Sequence, residues 1–392
     1  MKTIHNKVLL FGPDGTHALG VVRELGAANI QFELLLKGKS RNLATKSRYC
    51  QEYHEFSTYD EAVDYAIDKY GRLQDKAVLL AMGDLAAEIF DKRYNELNKM
   101  FYLSGTCEQG LLTRIDDKTL MCAKAVEHGF SVPFTKEYRK GDRTEDIPFP
   151  CIIKPNIVNS RGEFKTKVLQ NQTEFDKFSK LLSPENTYVI QQYIDKECDI
   201  LIFGCRYQNG KVDIAGSYYK DRWSDDGGGS HGYVIGEVPN YCNPKGIETF
   251  LRDIGYIGPF SVEYGLQDNR AYFYEFNLRN DGTSHVFFHC GAWTLVNWVA
   301  DYANIKSEYP TKVEGKKYVI NELLDRINII KGVVSKEQWE KDYKQATAFY
   351  FYDENDIEPW NYAKKGMWYK LRISAFLHKY KPIIVHWLRK IR

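Results

Sequence analysis

The segment GPFSVEYGLQDNRAYFYEFNLR, Gly258 to Arg279, constrains the fold more than any other stretch. Two runs rich in aromatic and β-branched residues flank the polar Gln267-Asp268-Asn269-Arg270, the pattern of a β-hairpin closed by a short turn. The second run alternates, with Tyr272, Tyr274, Phe276 and Leu278 on one face and Phe273, Glu275, Asn277 and Arg279 on the other. A turn centred on Asn269 sets Glu263 directly opposite Glu275. Like charges opposed across a strand pair are destabilising. Two carboxylates and an amide oxygen, however, suit a hard cation such as Mg²⁺ held together with phosphate oxygens. The plainer alternative is a register shifted by a residue or two, with both acids in solvent.

The chain opens with KVLLFGPDGTHALGVVREL, a buried-type strand, a Gly-Pro-Asp-Gly turn and a helical pattern. QFELLLKG, YDEAVDYAIDKYG and AVLLAMGD continue the alternation, which predicts a small parallel α/β unit over residues 1–113. Neither GxxxxGK[ST] nor GxGxxG is present, so Gly12 and Gly15 are expected only to shape the turn. From Arg114 the texture changes. A helix follows with Asp116 as its expected N-cap, Gly129 as its stop and Pro133 beyond. Then come a strand ending in Lys154-Pro155, a polar segment with one glycine, the strands of TYVIQQYIDKECDILIFGCRY, and VDIAGSYYKDRW. The three glycines of DDGGGSHG predict a mobile lid or substrate loop. A strand-rich region after a parallel unit implies a three-part α+β body, divided at 114–190, 191–310 and 311–392.

Several function classes fall away. Net charge is +2 in 392 residues, which leaves no global footprint for nucleic acid. The 8 cysteines show no CxxC pair, as expected of reduced thiols in a cytoplasm. The N-terminal apolar run is too short for a signal peptide and no stretch approaches a spanning helix, so a soluble, cytoplasmic protein is expected. There is no Ser-His-Asp or Cys-His motif.

From about Lys118 to Arg279 the chain resembles the ATP-grasp superfamily, in the branch of carboxylate–amine ligases related to carbamoyl-phosphate synthetase and D-aspartate ligase. The resemblance rests on the order and spacing of DK before a helix ending in GxxVP, a strand PxxxKP, the strand YVIQQYI, and finally VEY and EFNLR. It implies an ATP-grasp fold of mixed α+β and α/β type. A Rossmann-like domain would precede it and a helical C-terminal extension would follow.

The resemblance also implies roles. Glu263, Glu275 and Asn277 would hold Mg²⁺ (or Mn²⁺), and Arg279 would neutralise the transferring phosphoryl group. Lys118 and Lys154 would contact the phosphates of ATP. Backbone groups of Gln192, Tyr193 and Ile194 would read the adenine edge, with Gln191 standing beside Gln192 where many relatives carry an acid. Asp199, in preference to Glu197, would hold the ribose hydroxyls. Ser160 and Arg161, in a loop poorer in glycine than is usual in the family, would cover the nucleotide. The implied activity is an ADP-forming ligation of a small carboxylate and an amine through an acyl phosphate. An idle or regulatory ATP-binding protein, or a phosphotransferase, is the alternative.

Other residues carry weaker expectations. Lys220 and Arg222 alternate in YYKDRW, share a face, and could hold an anionic substrate group as readily as face solvent. His285 and His289 in TSHVFFHC are read as core or substrate contacts, and His231 sits beside the glycine loop with no clear role. After Glu358 there is no acidic residue, while nine Lys and Arg lie between Lys364 and Arg392, interleaved with aromatics. That composition predicts either peripheral contact with an anionic membrane, and with it an envelope or glycan precursor as substrate, or a helix pair packed on the body. Pro382 is expected to break any single helix there.

Overall fold

The computed structural model describes residues 6–156, 164, 166–224 and 228–391, with no side-chain description at 368 or from 376 onward. Three sheets follow one another along the chain. The first is parallel, with strands β1 (Val8–Gly12), β2 (Phe32–Lys37), β3 (Tyr53–Phe56), β4 (Ala77–Ala81) and β5 (Phe101–Leu103) in the order β3-β2-β1-β4-β5. VLLFG and AVLLA are buried at every position, as a strand covered on both faces requires. Chain order reverses between β1 and β4, so a crevice opens at their carboxyl ends.

The second sheet orders β6 (Thr135–Tyr138), β7 (Cys151–Pro155), β8 (Lys167–Leu169) and β9 (Tyr188–Gln192) as β6-β9-β7-β8. Its core is a small separate cluster around Tyr138, Ile153, Phe175 and Tyr188. The helix Lys118–Glu127 leads into it. Its N-cap is Asp117, one residue after the expected Asp116, and the Asp117 carboxylate accepts the N–H groups of Thr119 (2.9 Å) and Leu120 (3.0 Å). Gly129, at φ +79°, ends the helix as expected.

The third and largest sheet runs β14-β13-β10-β11-β12-β15-β16. Its strands are β10 (Cys198–Arg206), β11 (Val212–Trp223), β12 (Gly229–Ile235), β13 (Gly258–Gln267), β14 (Arg270–Asn277), β15 (Lys317–Ile320) and β16 (Ala346–Phe349). Two expectations are corrected here. The C-terminal region is no separate extension, because β15 pairs with β12 and carries β16 beside it. Nor is DDGGGSHG wholly a loop: residues 225–227 lie outside the described chain, and Gly229 onward is strand.

The C-terminal helix, Ile357–Ile391, is a single element and continues through Pro382. The proline removes one N–H from the ladder, but the flanking turns carry the backbone on, so neither the predicted break nor a helix pair occurs.

Candidate active site

The hairpin β13–β14 closes with a two-residue turn, Asp268-Asn269, both at positive φ (51° and 58°), the type I′ geometry that matches strand twist. A turn centred between these two residues would by itself misalign Glu263 and Glu275. The register shifts by one residue at Tyr274, and beyond that bulge Glu263 pairs with Glu275 and Ser261 with Asn277. A side chain at position 265 would collide with the Tyr274 hydroxyl, so Gly265 makes the bulge possible. The bulge also switches faces. Ala271 and Phe273 join Phe276 and Leu278 in the core, whereas simple alternation would put Phe273 beside Glu275. Glu275, Asn277 and Arg279 keep a common face.

These residues line a cavity of about 1000 Å³. Its far wall comes from the N-terminal sheet: Pro13 and His17 after β1, and Gly83 and Asp84 after β4. Gly12 and Gly15 are not among the lining residues, while Pro13 of the same turn is. Asp117 and Asn156 close a third side, joined by an Asn156 Nδ2 to Asp117 Oδ2 bond of 2.7 Å.

Electrostatics inside the cavity are unbalanced in a specific way. Burial first, then Glu263, pushes the Glu275 carboxyl above the usual range, while Lys154, Lys118 and Arg279 pull it back. Burial lowers the Lys154 ammonium, which Glu275 partly restores. Lys118 Nζ reaches the Asn156 carbonyl at 3.4 Å. Asn277 uses its amide N–H on Ser261 Oγ (3.1 Å) and Glu263 Oε1 (3.4 Å), and its Oδ1 accepts from Arg279 (3.0 Å). Arg279 Nε donates to Asp84 Oδ1 at 2.6 Å. Two facing half-buried carboxylates with an amide oxygen beside them form a donor set that fits Mg²⁺ or Mn²⁺.

Lys220 extends from β11 into the same neighbourhood. Burial pulls its ammonium down, but Glu263, then Tyr350, Asp199 and Asp281, outweigh it and the net shift is upward.

Other sequence expectations separate from the cavity. Arg222 does not share the fate of Lys220, since the β11–β12 register shifts between them. Its guanidinium is held by Asp325 (2.7 Å to each oxygen) and Asp342 (2.9 Å), and Arg222 is not among the residues that line the cavity. In the structure the Asp199 carboxylate accepts from Lys196 Nζ (2.6 and 2.7 Å) and Trp223 Nε1 (2.5 Å). Glu197 accepts the Asp268 N–H of the hairpin turn (2.8 Å).

The Gln191 amide is spent on Thr135 Oγ1 (3.0 Å). The N–H groups of Gln192 and Tyr193 go to the carbonyls of Phe134 and Pro150 (2.9 and 3.0 Å). A base edge would have to use the remaining backbone groups of this segment and Ile194.

His285 is core. Its Cβ fills the space left by Gly20, its ring meets Tyr350 edge-on at 5.0 Å, and burial drives its pKa well down. His231 bonds Asp221 (2.7 Å) under the Tyr318 ring and does not line the cavity. Ser160 and Arg161 lie outside the described residues.

Sequence reasoning missed His17, Asp84 and Asp281. His17 is pushed down to about 4 by burial and then by Arg279. The sequence signal for Asp84 was its place just after the β4 run, at the point where a parallel sheet reverses order.

No family model matches the sequence, and no curated protein is similar to it. Solved structures are. The N5-carboxyaminoimidazole synthetase of Staphylococcus aureus, complexed with ADP, is 13% identical over 86% of each chain, with a TM-score of 0.64. An L-amino acid ligase from Bacillus licheniformis is 15% identical over 77% of this chain and 75% of its own, at 0.59. The biotin carboxylase domain of the Hydrogenobacter thermophilus 2-oxoglutarate carboxylase, with MgADP and bicarbonate, is 16% identical over 81% and 74%, at 0.62. The chain has the ATP-grasp fold.

Proposed function

We propose that the protein is an ATP-dependent carboxylate–amine ligase that forms ADP and phosphate. The observation that carries this reading is the convergence of Glu263, Glu275, Asn277 and Arg279 on one cavity, with Lys154 and Lys118 biasing its potential. A substrate carboxylate oxygen attacks the γ-phosphorus of ATP, the bond to the bridging oxygen breaks, and ADP leaves. The amine nitrogen then attacks the acyl carbon of the mixed anhydride, phosphate departs, and the amine proton passes to solvent or phosphate. Both steps gather negative charge.

Arg279 is placed to neutralise it with a planar fork once it leaves Asp84, and Lys154 and Lys118 supply point charges. Glu263, Glu275 and Asn277 would hold Mg²⁺ or Mn²⁺, whose charge would offset that of the phosphates. Asn277 would turn its Oδ1 from Arg279 to complete that set. No protein nucleophile is needed, in keeping with a cavity whose described lining includes neither cysteine nor serine.

The solved neighbours support the reaction class by fold, since synthetase, ligase and carboxylase all appear among them. A mere ATP-binding protein has no use for an arginine at the transferring phosphoryl group, which favours the enzyme over the idle alternative. The substrates are small molecules, and the acid-free C-terminal segment favours an envelope or glycan precursor made at a cytoplasmic membrane face. ADP release across a panel of acids and amines, with hydroxylamine replacing the amine, tests the chemistry. A hydroxamate with ADP and phosphate is expected. AMP and pyrophosphate would overturn the acyl phosphate.

A further inference from the structure

The C-terminal helix packs on the body for only part of its length. Trp360, Ala363 and Met367 are buried with Leu323 and Phe351, and Leu371 lies against the same cluster. At its entry, Asp356 forms a buried ion pair with Arg23 (2.9 Å) and accepts the Arg48 N–H (2.8 Å). Arg23 stands on the helix Thr16–Ala27, the element whose His17 lines the cavity. Two residues past Leu371 the body is already behind the helix: Ile373 is 59% exposed. The backbone nevertheless stays helical to Ile391.

The sequence of this overhang is sorted by the helical period. Ile373, Phe376, Leu377, Tyr380, Ile384 and Trp387 recur in steps of three and four, which places their positions on one face. Arg372, Lys379, Lys381, Arg389 and Lys390 occupy intervening positions, and no Asp or Glu occurs after Glu358. From 372 to 391 the helix is about 30 Å long at 1.5 Å per residue. Among the described residues no helix is long and apolar enough to cross a membrane, so a bilayer could receive this one only in its surface plane.

We propose that residues 372–391 form an amphipathic helix that lies on an anionic lipid surface, apolar face inserted and cationic face toward the headgroups. Charge complementarity selects this occupant. A second copy of this helix would bring the same cations and, after Glu358, no acid to pair with them, whereas anionic headgroups complement Lys379, Lys381, Arg389 and Lys390. The packed root, fixed by Asp356–Arg23 and the Trp360 cluster, means that the body is carried with the helix. The inference stands apart from the ligase reading, since the helix would bind lipid whether or not the cavity ligates.

The test is co-sedimentation of the full chain with phosphatidylcholine vesicles, with and without phosphatidylserine, at low and high salt. A Leu377→Glu/Ile384→Glu variant, whose positions follow the packed root in sequence, is run beside it. The wild-type chain is expected to pellet about tenfold more with phosphatidylserine present and to lose most of that in high salt. The variant should stay in the supernatant with unchanged melting temperature and unchanged ADP release in solution. Absence of pelleting at low salt, equal pelleting with neutral vesicles, or equal pelleting of the variant would each overturn the proposal. So would a wild-type chain that binds no vesicle but self-associates in sedimentation velocity where the variant is monomeric, which would make the face a dimer interface.

Discussion

Two arginines on the same large sheet have opposite surroundings. Arg222 is enclosed by Asp325 and Asp342, side chains 0% and 11% exposed, and its guanidinium is paired with two carboxylates. Among the described residues Arg279 has one ion-pair partner, Asp84, whose side chain is 60% exposed and follows β4 of the first sheet. Beside Arg279 two carboxylates face each other across a strand pair. A fold left to itself would settle charges as it does around Arg222. Like charges kept together at a cavity wall signify an interaction that folding alone does not complete, and that asymmetry separates the active site from the structural ion cluster.

The sharpest way to break the comparison is Glu275→Gln. If the facing carboxylates serve catalysis, ADP release should fall by about a thousandfold, the loss of several kcal/mol of charge stabilisation. The melting temperature should hold or rise, because a repulsive pair has been relieved. Wild-type turnover, or a large loss of stability, would make the pair structural like Arg222. The converse change is Asp325→Ala. It leaves a buried guanidinium short of one carboxylate, and urea unfolding should show about 3 kcal/mol of destabilisation. Below the melting transition, turnover should stay near wild type.

How much of this the sequence discloses follows from chain distance. Glu263 and Glu275 lie on one hairpin, so period-two alternation and a turn signal suffice to pair them. The same reading misassigns Phe273, because no residue type announces the bulge at Tyr274. Gly265, which makes room for it, is a cue only in hindsight. Arg222 meets Asp325 and Asp342 across 103 and 120 residues, and Arg279 meets Asp84 across 195. Alternation put Lys220 and Arg222 on one face and had no means of seeing those partners. The Trp223 bond to Asp199 was hidden for a related reason, since it depends on strand register. The family motif led to the cavity, while charge settlement inside it became visible only in three dimensions.

A third carboxylate sharpens the contrast by titration. Glu24 is buried, bonded to Ser284 Oγ at 2.8 Å, and burial raises its pKa to about 8. In the unfolded chain it titrates near 4.5, so between those values folding takes up a proton. Stability is therefore fullest below the unfolded value and is lost as pH rises through the folded one. Between about pH 6 and pH 8 the fold should weaken by roughly 2 kcal/mol through this group. Glu24→Gln, which can still accept from Ser284, should flatten that part of the profile. An unchanged slope in the variant would assign the pH dependence elsewhere.

The smallest expected effect belongs to Asp84. As an exposed partner it should contribute about 1 kcal/mol or less to stability, and Asp84→Asn should barely move the melting temperature. Its place in the cavity nonetheless matters to the comparison. The 2.6 Å bond holds the Arg279 guanidinium toward the N-terminal sheet, and a phosphate must draw it away. Removing the carboxylate lowers the cost of that turn, so the KM for ATP should fall by a few-fold, roughly what one exposed ion pair is worth. Raised salt screens the pair in the wild type and should reproduce part of the change, but should do little further in the variant. If instead Asp84→Asn costs several kcal/mol of stability, Arg279 is locked as Arg222 is, and the distinction between the two arginines fails.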